Sequence, residues 1–325
     1  MANESVRTLL SDQGIHPVLI DVGASGTPPA VWNTIRNNSI YVGFDPDLRE
    51  IRDIQNSGYY KATIINEAIT DDASNGEVRF YLTQSPYCSS TLKPDTQSLE
   101  NYLFSDLFTV ENESSVKAIT LNEAVQRVGV SSIDWLKLDT QGTDLRIFTS
   151  LDEKTRRHVL AIDIEPGLID AYIGEDLFVD VHRELTQNGF WLSNLNVEGA
   201  VRVRRSSIRD TLPFLPDKNY SLISKAIRTS PSWCEARYFR SLQFLAQNDF
   251  TARDYIVLWA FALADNQYGF ALDIGIECQK RFGQDPIGNI LKTTVISQIE
   301  RVIKRESLLK PFKKVVRAAL RQFGR

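Results

Sequence analysis

Acidic side chains recur at the ends of apolar runs in this sequence, and their spacing suits chemistry on a small ligand. Asp21 closes Pro17-Val18-Leu19-Ile20 just before Gly23-Ala24-Ser25-Gly26. Asp45 follows Ile40-Tyr41-Val42-Gly43-Phe44 and stands 22 residues after Gly23, the spacing of a carboxylate that grips a ribose diol. Asp139 follows Ile133–Leu138, and Glu165 follows Val159–Ile164 two residues after Asp163. Lys137 lies two residues before Asp139 and so shares its strand face. Carboxylates gathered in this way can accept hydroxyl donors, take up a proton, or hold a hard divalent cation. Glycines beside them let the backbone approach a ligand closely.

These residues need elements to position them. Residues 15–45 read as strand, glycine turn, helix, strand, with Thr27 as N-cap, Pro28 in the first helical position and an apolar stripe through Val31, Trp32 and Ile35. The alternation continues through a helix over 48–55, a strand over 62–69, a hairpin strand over 77–82, a loop over 83–115 containing a short helix near 98–107, and a helix over 121–128. Strands over 133–138 and 159–164 flank a helix near 144–151. A helix over 177–188 and an antiparallel pair over 190–195 and 200–204 complete the series. Strands alternating with helices predict an α/β fold with a mostly parallel sheet and an antiparallel edge. Such a sheet binds ligands at the carboxyl ends of its strands, where Asp21, Asp45, Asp139 and Glu165 fall.

The turn itself discriminates among ligands. A dinucleotide turn needs a third glycine where Pro28 stands, and Asp21 would repel a pyrophosphate. S-adenosylmethionine carries a cationic sulfonium and an amino group and no phosphate, so Asp21 suits it. At this point the chain resembles the FkbM-type S-adenosylmethionine-dependent methyltransferases. The resemblance spans residues 18–204 and rests on ordered blocks: Ile20–Ala24, Val42–Pro46, Asn66–Asp71, Ser89–Leu92, Ile119–Glu123 and Ile133–Gly142 with its Leu-Lys-x-Asp-x-x-Gly core. One departure is that Gly23 and Gly26 have two residues between them where the family has three.

The resemblance implies a class I methyltransferase, Rossmann-like in its sheet, that methylates a hydroxyl of a saccharide in a surface glycan or natural product. It further implies that Asp21, Gly23, Ala24 and Gly26 line the methionine moiety, with Ser25 of the same turn also at the cofactor, that Asp45 takes the ribose hydroxyls, and that Ala68 and Ile69, with Glu67 beside them, flank the adenine. Asp139, Glu165 and Lys137 are the candidates for the reaction centre. Two readings stay open there: direct base catalysis by Asp139 or Glu165, or a Mg2+ ion held by Asp139 with Asp163 or Glu165 that acidifies the acceptor. The loop Gln84–Thr91 is expected to cover the cleft.

Length and composition set the frame. The 325 residues, 42% apolar and 24% charged, suit a globular chain of about two domains. No apolar run approaches a membrane span, and the polar start predicts no signal peptide. Cys88, Cys234 and Cys278 suit a reducing compartment, so a cytoplasmic enzyme is expected, with homo-oligomerisation left open. The predicted domains are a methyltransferase domain over 1–205, a linker over 206–219, an α-helical module over 220–286 and a basic tail over 287–325. That tail holds ten Lys/Arg against two Glu, a net +8, which leaves 27 basic against 39 acidic residues, a net −12, in the rest of a chain whose total is −4. Pro311 is expected to break the tail, after which Phe312, Val315, Val316, Ala319, Leu320 and Phe323 form one helical stripe opposite a basic face. This pattern predicts peripheral contact of 312–323 with anionic lipid on the inner membrane surface, or packing on the acidic body, and argues against a nucleic-acid partner. Two other functions remain open: a non-catalytic methyltransferase-fold scaffold in membrane-proximal glycan assembly, and a nicotinamide-dependent dehydrogenase.

Overall fold

The computed structural model describes residues 2–47, 57–211, 220–283 and 286–323. The chain forms two compact units, one of His16–Asp249 and one of Met1–Ile15 with Phe250–Arg325. Among the described residues the larger unit contains ten strands: β1 (Val18–Val22), β2 (Ile40–Phe44), β3 (Lys61–Ile65), β4 (Ala68–Thr70), β5 (Glu77–Thr83), β6 (Val110–Thr120), β7 (Trp135–Leu138), β8 (Ala161–Ile164), β9 (Phe190–Val201) and β10 (Thr229–Arg240). Seven of them form a mostly parallel sheet in the order β3-β2-β1-β7-β8-β10-β9, and β4-β6-β5 form a small second sheet. β3, β2, β1, β7 and β8 run parallel, while β10 is antiparallel to both β8 and β9. The chain leaves β1 toward β2 on one side and resumes at β7 on the other. The strand order therefore reverses between β1 and β7, the position at which open α/β sheets receive ligands.

One face of the sheet is apolar because alternate residues of each strand meet the helices. Val18, Ile20, Val22, Leu136, Leu138, Ile162 and Ile164 pack with Leu121, Ile147, Phe148, Val181 and Leu185 from helices Leu121–Val128, Asp144–Ser150 and Phe178–Gln187. The first of these helices starts with a Thr120–Glu123 capping box and stops at Gly129, whose left-handed φ of 72° only glycine adopts cheaply. The opposite face carries a row of charges in register across four strands: Asp21, Lys137, Asp163 and Arg237.

Several expectations are corrected by the structure. Residues 229–240, read as part of a helical module, form a 12-residue strand in the central sheet. Cys234, Ala236 and Tyr238 are buried and alternate with exposed Glu235 and half-buried Arg237, but irregularities at Pro231/Trp233 and Arg237/Tyr238 and the unbroken burial of Tyr238 to Arg240 confine that alternation to 234–238, too short to stand out along the chain. The domain read as 1–205 therefore extends to β10, and residues 1–15 group with the C-terminal unit. The α-helix expected after the glycine turn is replaced by two short 3-10 turns, Ala30–Thr34 and Arg36–Asn38, preceded by Pro29 with no side-chain cap. The polar segment 110–120 is a strand, and 190–201 is one strand where two were expected. Within the predicted linker, helix Arg205–Thr211 continues the chain, and 212–219 lie outside the described residues, as does the helix expected over 48–55.

The smaller unit is helical: Ala2–Asp12, Ala252–Ala264, Tyr268–Phe282 and Pro286–Phe323. Tyr255 to Leu263 are buried without a break, which explains the density of aromatics in that segment. The last helix runs through Pro311 without the expected interruption. The side chains of the predicted lipid-facing stripe, 312–323, lie outside those described. Among the described residues, no helix is long and apolar enough to cross a membrane.

Candidate active site

At the carboxyl edge of the larger unit's sheet lies a cavity of about 480 Å³. Its wall begins with the β1 turn. Gly23 has φ 79°, and a Cβ there would stand 2.0 Å from the backbone oxygen of Asp139, so only glycine lets the ends of β1 and β7 come this close. The Asp139 amide donates to Val22 O at 3.0 Å and holds the two ends together. Beneath the turn Asp21 is buried and accepts hydrogen bonds from Tyr41 Oη at 2.9 Å and Lys137 Nζ at 3.0 Å. Lys137 also donates to Gly23 O at 3.2 Å and lies 3.5 Å from Asp139 Oδ2. Burial opposes the lysine's charge, but Asp21 and Asp139 outweigh it and hold Lys137 protonated far above its ordinary range. It is a fixed cation that joins the turn to Asp139, and it has no lone pair with which to act as a base.

Asp139 is aimed by the residues after it. Gln141 sits in the left-handed region at φ 58°, a conformation that costs a non-glycine residue about 1–3 kcal/mol and must be enforced by its neighbours. Ser90 Oγ donates to Gln141 O at 2.7 Å, and Gln141 Nε2 donates to Asp139 Oδ1 at 2.7 Å. Tyr172 Oη lies 3.1 Å from Gln141 Oε1 and 2.9 Å from Cys88 O. A second buried acid, Asp144, ties the exits of two strands together. Its Oδ1 accepts the Thr140 amide at 2.8 Å and its Oδ2 the Glu165 amide at 3.2 Å.

Five carboxylates line the cavity: Asp45, Asp47, Asp139, Glu165 and Glu175. No Lys, Arg or His does so among the described residues. Burial pushes Asp45 up to about 6, against the pull of the Asp47 amide that donates to its Oδ1 at 2.8 Å. Burial, with Asp139 and Asp144 adding like charge, pushes Glu165 up to about 9, so it holds its proton at neutral pH. Glu175 is raised to about 7 by burial, although Ala171 N and Tyr172 N donate to its Oε2 at 2.7 and 3.0 Å.

Of the residues singled out from the sequence, the structure brings Gly23, Ser25, Asp45, Ala68, Ile69, Asp139 and Glu165 together in this wall. Ser85 to Ser89 and Thr91 line it as well, where the covering loop was expected. The remaining residues sit elsewhere. Asp21 and Lys137 satisfy each other beneath the turn. Ala24 packs against Gly43 of β2, and the space around Gly26 is open. Glu67 is turned to Arg127, whose Nη1 lies 2.7 and 2.9 Å from its two oxygens. Asp163 is spent on Arg237, which donates from Nε and Nη2 at 2.7 and 2.9 Å. That removes Asp163 from the expected Mg2+ set. Among the described residues no three His, Cys, Asp or Glu side chains converge as metal ligands.

Gln141, Asp144, Tyr172, Glu175, Phe104 and Phe108 were not singled out from the sequence, and Trp233 was counted among the aromatics of the helical module, more as core than as a sugar-stacking surface. Gln141 and Asp144 belong to the Leu-Lys-x-Asp-x-x-Gly stretch and could have been found there; the others come from loops and a strand with no local signature.

A family model, the methyltransferase FkbM domain, matches residues 25–192, just over half of the chain and most of the cavity wall. No curated protein matches the chain significantly.

Proposed function

The chain belongs to the FkbM methyltransferase family, and on that premise we propose that it is an S-adenosylmethionine-dependent methyltransferase acting on an acceptor hydroxyl. The observation that carries the reading is the cavity at the strand-order reversal, walled by five carboxylates and by no described cation. A cofactor bearing a sulfonium and an ammonium is attracted there; a pyrophosphate is repelled, which disfavours the nicotinamide alternative. When bound, the cofactor supplies a methyl group activated on the sulfonium. Asp45, at the end of β2 with Oδ2 free of hydrogen bonds among the described residues, holds the ribose hydroxyls. Ala68 and Ile69 flank the adenine, and the Gly23 turn faces the methionine part.

Asp139 takes the proton of the acceptor hydroxyl as the oxygen attacks, and Gln141 keeps its carboxylate aimed. Lys137 lies 3.5 Å from Asp139 Oδ2 and pairs with it. Glu165 enters the unligated site protonated, as a hydrogen-bond donor, so Asp139 is the base of choice. The acceptor is a small molecule or a glycan, and a saccharide hydroxyl is the reading that the family resemblance favours. The enzyme acts in the cytoplasm, and its basic tail makes a peripheral contact with anionic lipid, tested by co-sedimentation of the full chain and a chain lacking 308–325 with anionic vesicles.

Calorimetry of the full chain with S-adenosylmethionine and with NAD+ tests the cofactor assignment. Micromolar binding of the first alone is expected. Absence of binding at millimolar S-adenosylmethionine overturns the enzyme and leaves the scaffold reading.

A further inference from the structure

The cavity is longer than the part assigned to the cofactor. Its wall follows the strand order β2-β1-β7-β8-β10, from Asp45 through Gly23, Asp139 and Glu165 to Trp233. Trp233 is joined to the loop after β8 by a backbone bridge to Gly167. Four strand spacings make this run about 19 Å, at roughly 4.8 Å each. The proposed cofactor occupies the β2–β1–β7 half and brings its methyl group to Asp139. The β8–β10 half is of another character.

Four aromatic rings form its wall. Phe104 and Trp233 lie nearly parallel, with centroids 6.2 Å apart and 13° between planes. Phe108 meets Phe104 edge-on at 5.2 Å, and Tyr172 lies 5.6 Å from Phe108. Phe104 and Trp233 are only half-buried, so part of each ring is open to the cavity. Glu175 lies at the rim of this wall. Its Oε2 is held by the Ala171 and Tyr172 amides, while Oε1 has no hydrogen-bond partner among the described residues. The absence of a side chain at Gly167 leaves room for it, since a Cβ there would stand 2.2 Å from Oε1.

We infer that this half is the acceptor subsite, and that it admits a ring-bearing acceptor that is neutral or cationic and rejects an anionic one. The inference rests on the cofactor reading above, because that reading leaves this half free. The aromatic faces stack on a flat apolar or C–H surface and attract a cation. Glu175 Oε1 receives hydroxyl or ammonium donors, and the protonated Glu165 offers a donor to an acceptor oxygen. A phosphate or carboxylate would meet the carboxylates of Asp139 and Glu175 with no described cation in the wall to balance it. The acceptor thus enters without a phosphate or nucleotide handle, and Trp233, Phe104 and Glu175 set its specificity.

The test uses the full chain saturated with S-adenosylhomocysteine, which blocks the cofactor half, and three ring probes of one size: benzylammonium, benzyl alcohol and benzoate. Ligand-observed saturation-transfer NMR should detect the first two and not benzoate. The signal should fall at least fivefold in Trp233→Leu and in Phe104→Leu, each checked for folding by its melting curve. Glu175→Gln should weaken benzylammonium severalfold and leave benzyl alcohol in place. Benzoate bound as well as benzylammonium, none of the three bound, or binding undiminished in both aromatic variants overturns the inference. Failure of S-adenosylhomocysteine itself to bind, read separately by calorimetry, counts against the cofactor reading instead.

Discussion

Gly23 and Gly26 both have positive φ, 79° and 75°, and replacing each by alanine separates two effects. At Gly26 the space is open, so the substitution costs only the left-handed conformation, about 1–2 kcal/mol for a residue with a Cβ. At Gly23 the same cost is joined by a collision, because the new Cβ stands 2.0 Å from Asp139 O and 2.9 Å from Asp139 C. Those are backbone atoms held by the β1–β7 pairing, so relief requires the two strand ends to part by about 1 Å, an overpacking cost of about 1–3 kcal/mol. The total for Gly23→Ala is about 2–5 kcal/mol. In a unit of 234 residues, 1 kcal/mol moves the melting temperature by about 2–4 °C, so Gly23→Ala should melt roughly 2–12 °C below Gly26→Ala. Because Asp139 is the atom group displaced, turnover in Gly23→Ala should fall by a further ~100-fold. Differential scanning calorimetry and a labelled-methyl assay read both numbers. Equal melting and equal turnover in the two variants would refute the claim that Gly23 exists to let β7 approach.

Asp45→Ala should weaken S-adenosylmethionine roughly 10–100-fold by calorimetry, the loss of charged hydrogen bonds to two hydroxyls. Since Asp45 ionises near 6, wild-type affinity should rise between pH 5 and 7, and the Asp45 share of that rise should vanish in the variant. Asp139→Asn should keep cofactor affinity and lose at least 100-fold in turnover, whereas Gln141→Leu should lose less and shift the pH profile of kcat; retained activity in Asp139→Asn would clear it as the base. The raised carboxylates also fix a stability trend. Glu165 titrates at about 9 when folded and near 4.5 when unfolded, so between those values the folded state binds more protons and stability falls as pH rises. The unligated protein should therefore melt lower at pH 9 than at pH 6, and Glu165→Gln should flatten that slope; parallel slopes would remove Glu165 from the account.

Much of the cofactor half was legible because of how buried parallel strands are written. β1, β2, β7 and β8 are short apolar runs that end in a polar residue, and the side chain following each run stands at the carboxyl edge, which located Asp45, Asp139 and Glu165. Helix 121–128 carried its own cap and stop. Where neighbours decide, reading along the chain failed. Asp21 reads as a ligand until β7 is placed in register beside it and Lys137 neutralises it. Asp163 loses its metal reading to Arg237, a residue 74 positions away. β10 carries its alternation only over 234–238, and irregularities in its pairing interrupt it on either side. The aromatic half could not be assembled from local pattern, since Phe104, Tyr172 and Trp233 come from three separate stretches.

The charge row across β1, β7, β8 and β10 has a consequence for assembly. Apolar side chains on these strands are interchangeable enough that a strand could slide by two residues, keep its faces, and still bury hydrocarbon. The row Asp21-Lys137-Asp163-Arg237 forbids that slide, because a two-residue offset in β7 or β8 would strand a part-buried charge without its partner, at about 3–5 kcal/mol. The ions thus work as a vernier: they tolerate one alignment of the four strands, and in that alignment Gly23, Asp139 and Glu165 come to rest at the same height.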